Sequence, residues 1–273
     1  LRGLSIKIKP KVKSPLVDTC GAGGDLSGTF NVSTTAAFVV AGAGVPVAKH
    51  GNRMVSSKSG SADVLQELGV KIDCSPKKVE ECIERAGIGF MFAPLYHTAM
   101  KHVIGVRKEL GMRTVFNILG PLISPADVKR QVYGIFDSDL TEKLASVLKE
   151  LGSEQCLVVH GLDGLDEISN LGKTKVSELK SGTIKTYFIQ PKDFGMKTVK
   201  ASDLMGGGPK DNAAILQKIL GGEKGPKRDI VLLNAAAAIY IGGKAKDLQD
   251  GIKLAQKSID SGSAMKALEK LIE

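Results

Sequence analysis

Short apolar runs alternate with longer amphipathic stretches along this chain. Runs at 15–19, 45–48, 70–74, 88–93, 131–136 and 155–160 have the length and the Gly, Pro or polar flanks of buried strands. Between them, 33–41, 61–68, 75–86, 98–110 and 139–151 place apolar residues at helical spacing. The first of these is rich in Ala, with Ser33 or Thr34 near its cap. Ser75-Pro76 marks a helix start, since proline suits the first helical position, and Gly69 and Gly111 mark stops. Two runs at 174–179 and 183–190 flank Ser181-Gly182 and predict a β-hairpin. The tail reads as helices over 212–220, 230–241, 247–261 and 264–272.

Strand and helix in alternation predict an α/β fold, a mainly parallel sheet with helices on both faces. Right-handed crossovers then gather the carboxyl ends of the strands on one edge, where such folds bind ligands. No repeat of fixed period and no low-complexity tract divides the chain.

Composition narrows the classes. With 273 residues and 42% hydrophobic positions, the chain buries a sizeable core, which excludes disorder and a disulfide-stapled miniprotein. The longest apolar runs fall well short of the ~20 residues that span a bilayer. They are interrupted by Gly42 and by Asn234. No signal-peptide pattern is visible, and the opening at Leu1 carries the expectation that a segment precedes it. Cys20, Cys74, Cys82 and Cys156 form no CxxC pair and no metal spacing, which suits a reducing compartment, expected to be the cytoplasm.

The net charge of +9 admits a nucleic acid, an anionic membrane or an anionic small molecule. Its densest stretch, Lys7, Lys9, Lys11 and Lys13, alternates with Ile6, Ile8, Pro10 and Val12, and reads as an exposed edge or linker with solvated lysines. Aromatics at 4%, with no Trp, argue against base stacking. No nucleic-acid partner and no membrane partner are expected.

Four segments carry candidate chemistry. The first strand runs into Gly21-Ala22-Gly23-Gly24, a polar loop and a helix; glycines permit close backbone approach, and the helix start offers free N–H groups to an anion. Thr29, Asn31, Ser33 and Thr34 add donors. No acidic residue follows at dinucleotide spacing and no GK[ST] follows the glycines, so this is neither a Rossmann fingerprint nor a Walker loop. The second segment, 49–61, collects Lys49, Arg53 and Lys58 with several hydroxyls directly after a strand, and reads as a second anion cradle. Two cradles point to a substrate with two separate phosphate groups. Third, Asp166 and Glu167 follow a strand through a glycine-bearing turn, hard oxygen ligands of the kind Mg²⁺ takes together with substrate phosphates. Fourth, Arg107 sits on a helix near Tyr96-His97; it is either a surface charge or a bidentate clamp for a carboxylate.

Taken together, GAGGD (21–25), NVST (31–34), KHGNR (49–53), SKSGSADVLQELG (57–69), VRK (106–108), NILGPL (117–122) and GLDE (164–167) resemble the anthranilate phosphoribosyltransferases, in order and spacing, from about residue 2 to the end. Ala22 stands where that family has Thr. The resemblance implies a nucleoside phosphorylase/phosphoribosyltransferase-like fold, with 1–14 the remnant of an N-terminal helical segment and hinge, 15–273 the α/β domain, and a homodimer. It implies transfer of the phosphoribosyl group of 5-phosphoribosyl 1-diphosphate (PRPP) to the amine of anthranilate, in tryptophan biosynthesis. By similarity, PRPP would be held by Gly21, Gly24, Asp25, Thr29, Asn31, Val32, Ser33, Thr34, by Lys49, His50, Gly51, Asn52, Arg53, Met54, Val55, Ser56 and Ser57, and by Ser61. Anthranilate would meet Gly21, Asn52 and Arg107, with His50, Tyr96, His97 and Pro121 along its route. Ser33, Asp166 and Glu167 would serve Mg²⁺. No catalytic base is assigned, because the arylamine is already a neutral nucleophile at pH 7. A nucleoside phosphorylase of the same fold is the competing enzyme, needing a phosphate nucleophile and no carboxylate clamp; a nucleic-acid-binding relative would be expected to have lost the metal and PRPP residues.

Overall fold

A computed structural model of the chain describes residues 1–23, 28–53, 59–110 and 114–273, with the side chains of Ile104, Val106, Arg107, Lys108 and Leu110 outside that description. A seven-stranded sheet runs through the molecule in the order β3-β2-β1-β4-β5-β6-β7. Its strands are β1 (Val17–Thr19), β2 (Val47–Gly51), β3 (Ile88–Phe92), β4 (Arg130–Gly134), β5 (Gln155–Gly161), β6 (Thr174–Lys180) and β7 (Thr183–Ile189). The first five are mutually parallel. β6 and β7 add antiparallel at one edge, joined by the expected hairpin, whose Ser181 and Gly182 both have positive φ.

The helices are α1 (Val32–Gly42), α2 (Ser61–Glu67), α3 (Pro76–Ala86), α4 (Ala93–Tyr96), α5 (Lys101–Leu110), α6 (Phe116–Leu119), α7 (Thr141–Glu150), α8 (Pro209–Leu220), α9 (Pro226–Ile241), α10 (Leu248–Asp260) and α11 (Ser263–Ile272). Neighbouring strand residues point to opposite faces, and the core divides accordingly. Val47, Val132, Leu157 and Val159 join α1, α8, α9, α10 and α11 in one cluster. On the other face, Tyr133, Cys156 and Val158 pack under Leu144, Ala145 and Leu148 of α7. There too, Ala48 and Met91 pack under Val79 and Ile83 of α3. Helices therefore cover both faces, and α1 and α9, sheathed by other helices, are buried almost all round.

The stretch 70–74 is not a strand. Val70 and Ile72 are buried, but the backbone pairs with no sheet strand; it follows Gly69, which has a left-handed φ of 88°, and Val70 N–H donates back to Leu65 O. Apolar alternation over five residues serves an irregular buried strip as well as a strand. The helices α8 and α9 begin three and four residues before the expected starts, because Pro209 and Pro226 occupy the first helical turn. The lysine-rich segment near the amino end is extended and fastened: Ile6 N–H donates to Tyr96 O, and the Lys9 and Lys11 amides donate to the Glu80 and Glu84 carboxylates of α3.

Candidate active site

β1 has β2 on one side and β4 on the other, so the connections leaving β1 and β4 diverge and open a crevice beyond their carboxyl ends. The turn after β5 fills that crevice from the side. Asp166 Oδ2 accepts from Gly23 N–H at 2.8 Å, and Glu167 Oε1 accepts from Ser33 N–H at 3.1 Å. Ala22 N–H donates to Gly134 O at 2.8 Å, closing β1's loop onto the end of β4. Glycine is required on both walls. A Cβ on Gly21 would stand 2.7 Å from Asp166 Oδ2, and one on Gly134 would stand 1.5 Å from Asp166 O.

Ser33 lies in the first turn of α1, so Glu167 places a negative charge at that helix's positive end. The carboxylates thus lie against the same amides that an anion at this helix start would use. One face of the cluster borders a small cavity lined by Thr19, Gly21, Ser33, Val132, Gly134, Glu167 and Asn234. A larger hollow of about 650 Å³ is lined by Arg2, Gly3, Lys7, Ile8, Lys9, Ala126, Asp127 and Lys129, none of them a site residue. Among the described residues, no group of three or more His, Cys, Asp or Glu is gathered to hold a metal ion. Two adjacent carboxylates with the nearby Ser33 hydroxyl are a partial, all-oxygen set, and such a set fits Mg²⁺ that completes its shell with phosphate oxygens and water.

Asn31 is the N-cap residue of α1 but makes no side-chain cap bond. Its amide is committed elsewhere: Nδ2 donates to Ser59 O at 3.1 Å, and Oδ1 accepts from Asn212 Nδ2 at 2.9 Å. Asn31 therefore ties the loop after β1 to the end of the loop after β2 and to α8. Thr29 forms an antiparallel bridge with Met205, and Gly206 N–H donates to Gly28 O. The segment 205–212 is a third wall, and the sequence reading singled out none of it, although Gly206-Gly207-Gly208 marks a close backbone approach: a Cβ on Gly206 would lie 2.7 Å from Phe30 Cα.

Of the cations of the second segment, Lys49 and Arg53 have partners in the fold, and Lys58 lies outside the described residues. Lys49 is buried, and its Nζ donates to Thr19 O at 2.9 Å. Arg53 donates to Asp63 Oδ1 at 2.9 Å and Gln66 Oε1 at 2.8 Å, both on α2, and lies over the Phe92 ring. Asn52 O accepts from Ala62 N–H and the Ser61 hydroxyl, while its Oδ1 accepts from Arg53 N–H. Gly51 passes so close to Ser61 and Phe90 that a Cβ there would clash with both. Val32 and Thr34 are buried in α1. Gly24, Asp25, Met54, Val55, Ser56 and Ser57, expected in the cradles, lie outside the described residues, as does the Arg107 side chain.

His50 and His97 face each other with Nε2 atoms 3.2 Å apart and rings edge-on. Burial, then the facing His97, pushes the pKa of His50 down to about 3; burial, then the Lys7 charge, pushes His97 down to about 4. Both rings are neutral at pH 7. Behind them, Asp18 is fully buried, its Oδ1 accepting from His50 N–H at 3.3 Å. Burial pushes its pKa up to about 7, opposed by the Lys49 charge. Tyr96 packs wholly inside the cluster under α3, and Pro121 is buried with its carbonyl accepting from Gln131 Nε2. Burial lifts the Tyr96 phenol to about 12 and raises the Cys20 thiol further still, so neither supplies an anion at neutral pH.

The family model for the glycosyl transferase family, a/b domain, matches residues 13–265. The anthranilate phosphoribosyltransferase of Acetivibrio thermocellus is 53% identical over 273 residues, which is 100% of this chain and 79% of that protein. The crystal structure of the same enzyme from Thermus thermophilus superposes with a TM-score of 0.93 at 44% identity, covering 99% of this chain and 80% of the other. The Saccharomyces cerevisiae enzyme, solved in complex with PRPP and Mg, gives a TM-score of 0.89 at 34% identity over 99% of this chain and 76% of its own.

Proposed function

The chain belongs to the anthranilate phosphoribosyltransferase family, and on that premise we propose that the crevice beyond β1, β4 and β5 is where it transfers the phosphoribosyl group of PRPP to the amine of anthranilate, releasing diphosphate, in tryptophan biosynthesis. The observation that carries this siting is the meeting of Asp166 and Glu167 with the Gly23 and Ser33 amides. A diphosphate needs N–H donors and a cation, and this is where the chain brings both kinds of group to one point.

Cleaving the C1–O bond of PRPP builds positive charge on the ribose and negative charge on the departing diphosphate. The Ser33 N–H at the start of α1 donates to Glu167 here, and it stabilises the departing negative charge by exchanging that carboxylate for a phosphate oxygen. Asp166, Glu167 and the Ser33 hydroxyl would hold Mg²⁺, which would supply Lewis-acid neutralisation of the leaving group. Gly21 leaves room for the Asp166 carboxylate to lie against the loop after β1. Asn31 keeps the two cradles in register through Ser59 and Asn212. The neutral His50–His97 pair offers no charge to the arylamine, and none is needed. Residues 15–273 form the PRPP-binding unit in this reading.

Arg107 is assigned to the anthranilate carboxylate, for which a guanidinium fork is suited. Arg107→Ala is expected to raise the apparent KM for anthranilate by roughly ten-fold or more, as loss of a charge-assisted hydrogen bond implies, with PRPP use little changed. Following anthranilate fluorescence while varying each substrate tests both parts of the proposal. Absence of any PRPP-dependent loss of fluorescence in the wild type overturns the reaction. Equal losses for both substrates in the variant overturn the role of Arg107 alone.

A further inference from the structure

Asn234 sits in the middle of α9, where Ile230 to Leu233 and Ala235 to Ile239 are all buried. A primary amide at such a position is costly unless each polar atom is satisfied. Here they are. Asn234 Oδ1 accepts from Ile168 N–H at 2.9 Å, Nδ2 donates to Ile168 O at 2.9 Å, and Nδ2 also donates to Ile230 O at 2.9 Å. The first two bonds read both backbone groups of a single residue, as a neighbouring strand would. That residue directly follows Glu167. Asn234 also borders the small cavity it shares with Gly21, Ser33 and Glu167.

The opposite side of the turn is fixed independently. Asp163 Oδ1 accepts from Leu165 N–H, and Asp163 Oδ2 accepts from the Ser169 hydroxyl at 2.6 Å. The carboxylate pair is therefore carried on a short piece of chain pinned before and after. A leucine or alanine at 234 would pack against the same helices but would leave the Ile168 N–H and C=O unpaired in the interior.

We propose that Asn234 is a positioning residue of the phosphoribosyl transfer: by clamping the Ile168 backbone it holds Glu167, and with it Asp166, at the start of α1, ready to share a divalent cation with PRPP. The inference rests on the proposed metal role of the two carboxylates. Partners that orient metal ligands act on metal affinity by ten- to a hundred-fold in other proteins, so the effect expected here is on cation dependence rather than on fold alone.

The test uses Mn²⁺ as a probe in the presence of PRPP, following free Mn²⁺ by electron paramagnetic resonance, with anthranilate turnover over an Mg²⁺ series as a second readout. Asn234→Ala is expected to weaken Mn²⁺ binding about ten-fold and to raise the half-saturating Mg²⁺ by a similar factor, while kcat at saturating Mg²⁺ falls much less. Leu271→Ala, in the last turn of α11, serves as a control that loses core packing without touching the turn, and its cation dependence should match the wild type. Asn234→Ser replaces the alanine variant if the latter does not fold. If neither folds, hydrogen exchange of the wild type decides: the Ile168 amide should be protected as strongly as those of α9, and free exchange there overturns the proposal. Wild-type Mn²⁺ and Mg²⁺ dependence in a folded Asn234 variant also overturns it. If Asp166→Asn with Glu167→Gln likewise leaves cation dependence unchanged, it is the metal reading itself that fails.

Discussion

The turn after β5 and the loop after β2 stand at the same edge of the sheet and were both marked by charge, yet they use it differently. The turn delivers Asp166 and Glu167 to amides of a distant segment, 143 and 134 residues away in sequence. The described part of the loop after β2 keeps its cation at home: Arg53 is fastened to Asp63 and Gln66 on the next helix, and Lys49, in the strand before, is buried against Thr19. Charge in a sequence announces that a group needs a partner. It does not say whether that partner is a ligand or the fold. Sheet order does not separate the two, since β2 flanks β1 just as β5 flanks β4; the difference lies in what each described side chain meets, amides of the loop after β1 and of the start of α1 in one case and side chains of α2 and the Thr19 carbonyl in the other.

The sharpest way to break the contrast is to spoil the fit of the turn. Gly134→Ala would drive a methyl into the Asp166 carbonyl, and backbone must move because no flexible side chain is there to yield. Stability is expected to fall by about 3 kcal/mol or more, with loss of PRPP binding in any protein that remains folded. Chemical denaturation with a parallel PRPP titration checks both, and an unchanged midpoint would show that the turn is not seated as described.

The histidine pair sharpens the comparison from the other side. Its folded pKa values of about 3 and 4 lie below the ordinary 6.5, so the unfolded chain binds more protons between roughly pH 4 and 6.5. The stability this pair contributes is therefore present above pH 6.5 and is lost as pH falls below it. Each histidine should lose on the order of 2 kcal/mol between pH 7.5 and pH 5, partly offset by Asp18, which takes up a proton in the folded chain over the same range, and His97→Gln should remove one histidine's share of that slope. Unfolding curves at the two pH values suffice, and a slope identical in the variant would remove the buried pair as its source. Turnover, by contrast, should show no histidine step between pH 6 and 8.

Arg53→Ala should have the smallest effect. The ion pair with Asp63 is half exposed, so stability should drop by less than about 1 kcal/mol. PRPP affinity should change little, because the guanidinium already has its partners. A ten-fold loss of PRPP affinity in calorimetry would return Arg53 to the ligand.

The sheet order was legible only in part from sequence. Alternating runs located all seven strands and the hairpin turn at Ser181-Gly182, because period-two patterning and turn chemistry are local. They also placed a strand at 70–74, where two buried apolar residues serve an irregular connection, and no local signal separates the two cases. In the site, the carboxylates and the glycine loop were legible by residue type. Asn212 and Asn234 were not. An amide inside a helix advertises neither donor nor acceptor, and each gains its meaning from a backbone or side chain brought close by the fold, Asn31 in one case and Ile168 in the other. A buried Asn interrupting an apolar helix is nonetheless a mark worth reading. The sequence showed Asn234 only as a break in a hydrophobic run.

The most direct measurement compares turnover of the wild type and of Asp166→Asn with Glu167→Gln at limiting Mg²⁺, with thermal unfolding of both. The substitutions keep the shape of the turn and an oxygen for the Gly23 and Ser33 amides, so the unfolding temperature should hardly move. Turnover should fall by at least a hundred-fold, as loss of the groups that place charge against the departing diphosphate implies. Wild-type turnover in the double variant at limiting Mg²⁺ would contradict the assignment of these carboxylates to the metal and, with it, this account of the site.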